Sequence, residues 1–162
     1  MQRGVCLYPG SFDPVTLGHM DIIRRAARIF EKVIVGVLIN PGKTGTFTCE
    51  ERAGFLRKAC LGLENVEIVT FSGLTADLCR QMGISVLLRG LRGSADLEGE
   101  LRMAKINALL EPGLETVYLG ASSGMEAVSS SLVREIASFG GDISALVPPE
   151  ICQEICDHYR RT

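Results

Sequence analysis

Short apolar runs alternate with longer stretches of helical period along the whole chain. Gly4–Tyr8 is a continuous apolar run stopped by Pro9-Gly10, the pattern of a strand buried on both faces. Thr16 is an N-cap residue type, and Ile22, Ile23, Ala26, Ala27, Ile29 and Phe30 follow it at helical spacing, which predicts a helix to about Phe30. Lys32–Ile39 predicts a second strand. Thr48 with Glu51 forms a capping box that opens a helix to about Cys60. The same reading predicts a strand at Val66–Phe71, a helix over Leu74–Met82 ended by Gly83, and a strand at Ser85–Leu88 that breaks at Arg89-Gly90-Leu91-Arg92-Gly93. A long helix over Asp96–Leu110 follows, with Leu97, Leu101, Ala104 and Ala108 on one face, then a strand at Thr116–Leu119 and two helices, Ser129–Ser138 and Glu150–Tyr159. Strands lacking polar alternation and separated by helices predict an α/β fold, a doubly wound parallel sheet of five strands flanked by helices. In such a sheet ligands bind at the carboxyl ends of the strands, where strand order reverses.

Composition narrows this picture. The chain has 162 residues, enough for one domain spanning 1–162 and one active site, with the last helix packed on it. Its formal net charge of −2 and its lack of Trp argue against nucleic acid as a partner, so any anion must be gripped locally. Mean hydropathy is +0.22, yet no apolar run approaches the ~18 residues of a membrane span, so no membrane partner is expected. The N-terminus enters a strand directly, with no signal-peptide pattern, and a cytoplasmic location is expected. The six cysteines then read as reduced, small hydrophobes. Cys152, Cys156 and His158 would need a further ligand to hold a metal, so no protein metal site is expected.

The strand-end loops concentrate anion-friendly chemistry. Ser11, Gly18 and His19 follow the first strand, Lys43 the second, Arg89 and Arg92 the fourth, and Ser129-Ser130-Ser131 the fifth. Gly18 lets backbone come close to a ligand, and His19 on the first turn of its helix sits beside unpaired N–H groups that suit phosphate oxygens. Guanidiniums offer a planar fork to phosphate and keep their charge. Each feature also has a plain alternative. His19 is equally a capping imidazole, Arg89 and Arg92 can pair with Asp96, Glu98 or Glu100, and one serine of the trio serves as an N-cap. No G-x-x-x-x-G-K-[ST], G-x-G-x-x-G or G-x-S-x-G is present, which argues against a P-loop, a dinucleotide fingerprint and a hydrolase elbow.

Taken together, Tyr8-Pro9-Gly10-Ser11-Phe12-Asp13-Pro14, Thr16-Leu17-Gly18-His19, Leu88-Arg89-Gly90-Leu91-Arg92 and Ser129-Ser130-Ser131-Leu132-Val133-Arg134-Glu135 resemble the phosphopantetheine adenylyltransferases. The resemblance runs in order over nearly the whole chain and implies a Rossmann-like nucleotidyltransferase domain. It implies adenylyl transfer from ATP to 4′-phosphopantetheine, giving dephospho-CoA and pyrophosphate in coenzyme A biosynthesis, with Mg²⁺ on the ATP phosphates and a homohexameric assembly. Carried over residue by residue, it makes His19, Lys43 and Arg92 catalytic. It puts Ser11, Phe12, Gly18, His19, Gly90, Leu91, Arg92, Glu100, Met125, Ser129, Ser130 and Ser131 around ATP, and Ser11, Lys43, Thr75 and Arg89 around the acceptor. On spacing alone Glu100 is also a solvated helix residue, Thr75 a cap and Met125 a plain loop residue. Gly124-Met125-Glu126-Ala127 departs from the family, which often has an aromatic there. Two other functions stay open at this stage: transfer to a different phosphorylated small molecule, or a non-catalytic nucleotide or coenzyme A sensor.

Overall fold

The computed structural model describes residues 4–39, 42 and 45–161, the last without its side chain. Five strands, β1 (Val5–Gly10), β2 (Lys32–Ile39), β3 (Val66–Ser72), β4 (Val86–Leu91) and β5 (Glu115–Gly120), pair in parallel in the order β3-β2-β1-β4-β5. Between and after them run α1 (Leu17–Ile29), α2 (Cys49–Ala59), α3 (Thr75–Met82), α4 (Ser94–Leu110), α5 (Ser130–Ser138) and α6 (Pro149–Arg161). Strand order reverses between β1 and β4, which meet in register at Leu7 and Leu87. The crevice expected of a doubly wound sheet therefore opens beyond Gly10 and Leu91.

Strand alternation divides the core in two. Cys6, Tyr8, Val33, Val35 and Leu88 face the larger cluster, which gathers Met20 and Ile23 of α1, Phe55 and Leu56 of α2, Val133 of α5 and Ile151 and Ile155 of α6. Leu7, Ile34 and Leu87 face the smaller one with Ala76 and Cys79 of α3. All six cysteines are free thiols, and burial pushes Cys6 up to about 12 and Cys79 up to about 11. No helix among the described residues is long and apolar enough to cross a membrane.

Two strands run further than the residue pattern predicts. Pro9-Gly10 continues β1, paired with Gly36 and Val37, and Arg89-Gly90-Leu91 continues β4, paired with Tyr118, Leu119 and Gly120. Neighbouring parallel strands hold these turn-prone residues extended, so the guanidinium of Arg89 leaves a strand and not a loop. Gly90 serves packing as well: a Cβ there would come 3.2 Å from Ile22 of α1. The long helix α4 forms as predicted, but its apolar face is not covered. It contributes no buried residue, and Leu97 and Leu101 are 38% and 43% exposed.

Gly36 is a close-packed point within the sheet, since a Cβ would lie 3.0 Å from the Phe71 ring and 3.1 Å from Leu7. Gly36→Ala is expected to destabilise the fold by about 1–3 kcal/mol, read from the urea midpoint at unchanged slope.

Candidate active site

The turn after β1 is the most constrained part of the crevice. Phe12 holds the left-handed backbone region at φ 47°, which a bulky residue adopts only when its surroundings compel it. Its ring is 1% exposed and packs edge-on against Tyr8 at 5.4 Å and His19 at 5.0 Å between centroids. Phe12 therefore shapes the imidazole's seat with its side chain and offers a ligand only its backbone.

Thr16 then caps α1, and its partner in the capping box is His19. The Thr16 hydroxyl accepts the His19 N–H at 3.3 Å, while the Thr16 N–H donates to His19 Nδ1 at 3.0 Å. An N–H has no lone pair, so Nδ1 is the acceptor and the ring proton of neutral His19 sits on Nε2. The capping reading of His19 holds, and the residue capped in this way also lines the cavity. Burial, with Arg92 and Arg89 beside it, lowers the His19 pKa from 6.5 to about 4, so the ring is neutral at pH 7 and acts as an Nε2–H donor.

His19, Gly18, Ser11, Arg92, Met125 and the serine trio line one cavity of about 310 Å³. Gly18 packs α1 close to the loop before α5, where a Cβ would meet the Val128 carbonyl at 3.4 Å. Each guanidinium has a carboxylate partner from α4. Arg92 bonds Asp96 through Nε and Nη2 at 3.1 Å, and Arg89 forks onto Glu100 at 2.7 and 2.6 Å. Arg89 also donates to the Pro9 carbonyl, which holds it across the β1–β4 boundary.

The three serines divide their work. Ser129 is the N-cap of α5 and accepts the Leu132 N–H, and the Ser130 hydroxyl donates to the Pro14 carbonyl at 2.7 Å. Ser131 is the exposed member. An anion here would meet first-turn N–H groups of Ser130 and Ser131, which have no carbonyl one turn back. Sequence reasoning gave no role to Arg134, which lies one turn further along α5 and donates to the Asp13 carbonyl at 2.5 Å. Its i, i+3 spacing from Ser131 on a predicted helix was the available signal.

A second cavity, about 210 Å³, shares Pro9, Gly10, Arg89 and Glu100 with the first and extends to Thr75, Met103 and Asn107. Thr75 opens α3 without capping it; Leu74 holds the N-cap position and makes no side-chain cap bond. Lys43 lies outside the described residues. A larger cavity, about 510 Å³, is lined by residues of α2 and α6 together with Phe47 and contains none of these groups. Among the described residues no cluster of three His, Cys, Asp or Glu side chains is placed to hold a metal.

Comparison with known proteins gives the fold and the family. Residues 7–136 match the family model described as cytidylyltransferase-like, which defines the class: a nucleotidyltransferase. A nicotinic acid mononucleotide adenylyltransferase of Plasmodium falciparum, solved with NaAD, shares the fold at a TM-score of 0.69 and 15% identity, covering 99% of this chain and 96% of that one. A phosphopantetheine adenylyltransferase of Synechococcus sp. (strain JA-3-3Ab) is 51% identical over 98% of this chain and 99% of its own. One from Finegoldia magna is 51% identical over 96% of each. The chain belongs to the phosphopantetheine adenylyltransferase family.

The His19 geometry predicts a pH dependence of stability. Its pKa is lowered on folding, so between about 4 and 6.5 the unfolded chain binds the extra proton, and stability falls as pH drops through that window. A shift of that size corresponds to at most about 3 kcal/mol. The unfolding free energy of wild type should therefore decline relative to His19→Ala from pH 6.5 to 4, and run parallel to it from pH 7 to 8. Parallel curves throughout would contradict the assignment.

Proposed function

We propose that this chain transfers the adenylyl group of ATP to 4′-phosphopantetheine, releasing pyrophosphate and forming dephospho-CoA. The observation that carries the reading is the meeting of the His19 Nε2–H, Arg92 and the α5 N-terminus on one cavity that opens, past Arg89, into a second. A polyphosphate suits the first cavity and a phosphate with an extended, weakly polar arm suits the second.

The acceptor phosphate has a second pKa of about 6 and is already an anionic nucleophile at neutral pH, so no general base is needed. One of its oxygens attacks the α-phosphorus as the bond to pyrophosphate breaks. The protein's task is alignment and stabilisation of charge on the transferring group. His19 donates Nε2–H to an α-phosphoryl oxygen, Arg92 and the N–H groups of Ser130 and Ser131 hold the leaving pyrophosphate, and Ser11 bridges the two substrates. Arg89 holds the acceptor phosphate, with Thr75 along the acceptor's arm and Glu100 beside the ATP. Lys43 neutralises the attacking and transferring phosphates. Gly18, Phe12, Gly90, Leu91, Met125 and Ser129 contribute backbone or aliphatic walls around the nucleotide. Mg²⁺ would supply charge neutralisation on the phosphates. Asp96 and Glu100 are engaged by arginines, so phosphate oxygens and water suit the cation better than these carboxylates do.

A homohexamer is part of the same proposal. Its support is α4, which leaves Leu97, Leu101, Met103 and Leu109 exposed along one helix. Light scattering should give six times the 17.5 kDa chain mass, with Leu101→Glu shifting it lower; a monomer at micromolar concentration contradicts this.

Pyrophosphate release from ATP should require 4′-phosphopantetheine and should not occur with nicotinamide mononucleotide or glycerol 3-phosphate. Release with another acceptor alone points to a different transferase, and nucleotide binding with no release points to a sensor. His19→Ala should lower kcat about a hundredfold or more, the cost of a lost oxyanion donor, with a modest change in nucleotide affinity.

A further inference from the structure

Beside the turn after β1 stands a buried charged residue that neither the motifs nor the mechanism uses. Arg52 is on α2 and is 7% exposed. Its Nη1 donates to the Ser11 carbonyl at 2.7 Å and to the Leu38 carbonyl at 3.2 Å. Its Nε donates to the Phe47 carbonyl at 3.1 Å and reaches the Thr48 carbonyl at 3.4 Å. One guanidinium thus joins the turn after β1, the end of β2 and the start of α2.

Asp13 works on the same junction with the opposite polarity. Its residue is 8% exposed, and its carboxylate accepts the N–H groups of Thr46 at 2.9 Å and Phe47 at 2.9 Å. Residue 47 is therefore held on both sides, its N–H by Asp13 and its carbonyl by Arg52. Between them the two side chains satisfy the carbonyls of Ser11 and Phe47 and the N–H groups of Thr46 and Phe47, which lie outside the helices and strands. Burying such groups unpaired would be costly, which explains two charged side chains in an interior that is otherwise, Thr16 apart, apolar among the described residues.

The turn braced in this way is Ser11-Phe12-Asp13, with Phe12 in its left-handed conformation. Nothing within the turn selects that conformation for a phenylalanine. The outside contacts do: Arg52 on the Ser11 carbonyl, Thr46 and Phe47 on the Asp13 carboxylate, and Arg134 on the Asp13 carbonyl. The same turn carries the Ser11 hydroxyl and seats the His19 ring against Phe12.

We propose that Arg52 is a positioning residue for adenylyl transfer, acting through the Ser11 carbonyl to hold the turn that aims Ser11 and His19. This rests on the function proposed above. A shorter or differently shaped cation cannot serve both sets of carbonyls, so the turn relaxes while α2 and the core remain. A group that aligns reacting atoms matters more in the transition state than in the ground state, so the loss falls on kcat.

The test compares wild type, Arg52→Lys, Asp13→Asn and, as a control on the same helix, Arg57→Lys, whose ion pair with Glu50 is exposed. Pyrophosphate release is measured with ATP and 4′-phosphopantetheine and expressed per mole of folded protein, at a temperature well below each melting midpoint. Arg52→Lys is expected to lower kcat about tenfold or more with KM for ATP within about threefold, and Asp13→Asn to act in the same direction, a pattern of lost transition-state interaction. Arg57→Lys should match wild type. If Arg52→Lys and Asp13→Asn lower the melting midpoint but keep wild-type kcat, the residues are structural only and the proposal is overturned. Should Arg52→Lys fail to fold, Asp13→Asn decides by the same criterion. An inactive wild type overturns the functional reading itself, and this inference with it.

Discussion

Strands β1 and β4 lie side by side, yet the chain leaves β1 toward β2 and leaves β4 toward β5. Everything in the site follows from that divergence. The loops at the two carboxyl ends fold away from each other and leave a crevice whose walls are irregular backbone. Such walls have no ladder to hold them, so the structure holds them with side chains. Thr16 and Ser129 cap the helices that enter the rim, Ser130 bonds the Pro14 carbonyl, and Arg89 bonds the Pro9 carbonyl.

Charge in the crevice is balanced before any substrate arrives. Asp96 and Glu100, one turn apart on α4, neutralise the two guanidiniums that would otherwise face each other across Gly90. Hydrogen bonds from Arg92 hold the Asp96 carboxyl below the usual carboxylate range. Burial first, and then Arg92 and Arg89 beside it, keep His19 neutral. Under the function proposed, an entering polyphosphate would compete with these carboxylates for the arginines, and the His19 Nε2–H would donate to a phosphoryl oxygen on which negative charge builds.

Much of this was readable from residues alone, for physical reasons. Strand and helix order followed from apolar runs and caps, and Thr16 and Thr48 cap α1 and α2 as their spacing required. The anion-friendly residues fell at strand ends, which a doubly wound sheet must bring to one edge. What stayed hidden depends on neighbours distant in sequence. The extension of β4 through Arg89-Gly90-Leu91 comes from pairing with β5, and the face of α4 is bare because no element among the described residues covers it. Spacing could not reveal the bond from the Ser130 hydroxyl to the Pro14 carbonyl, more than a hundred residues earlier. Arg52 sits in an ordinary amphipathic helix, and only the folded chain reveals the carbonyls it gathers.

The account turns on a neutral imidazole, held at Nδ1 by Thr16 and offering Nε2–H to the phosphate rim. Nitrogen-15 NMR of histidine-labelled protein at pH 7 reads this directly. The account predicts that His19 carries its proton on Nε2 with Nδ1 unprotonated, and that ATP perturbs the Nε2 resonance. A ring protonated on Nδ1, or one that ATP leaves unchanged, would contradict it.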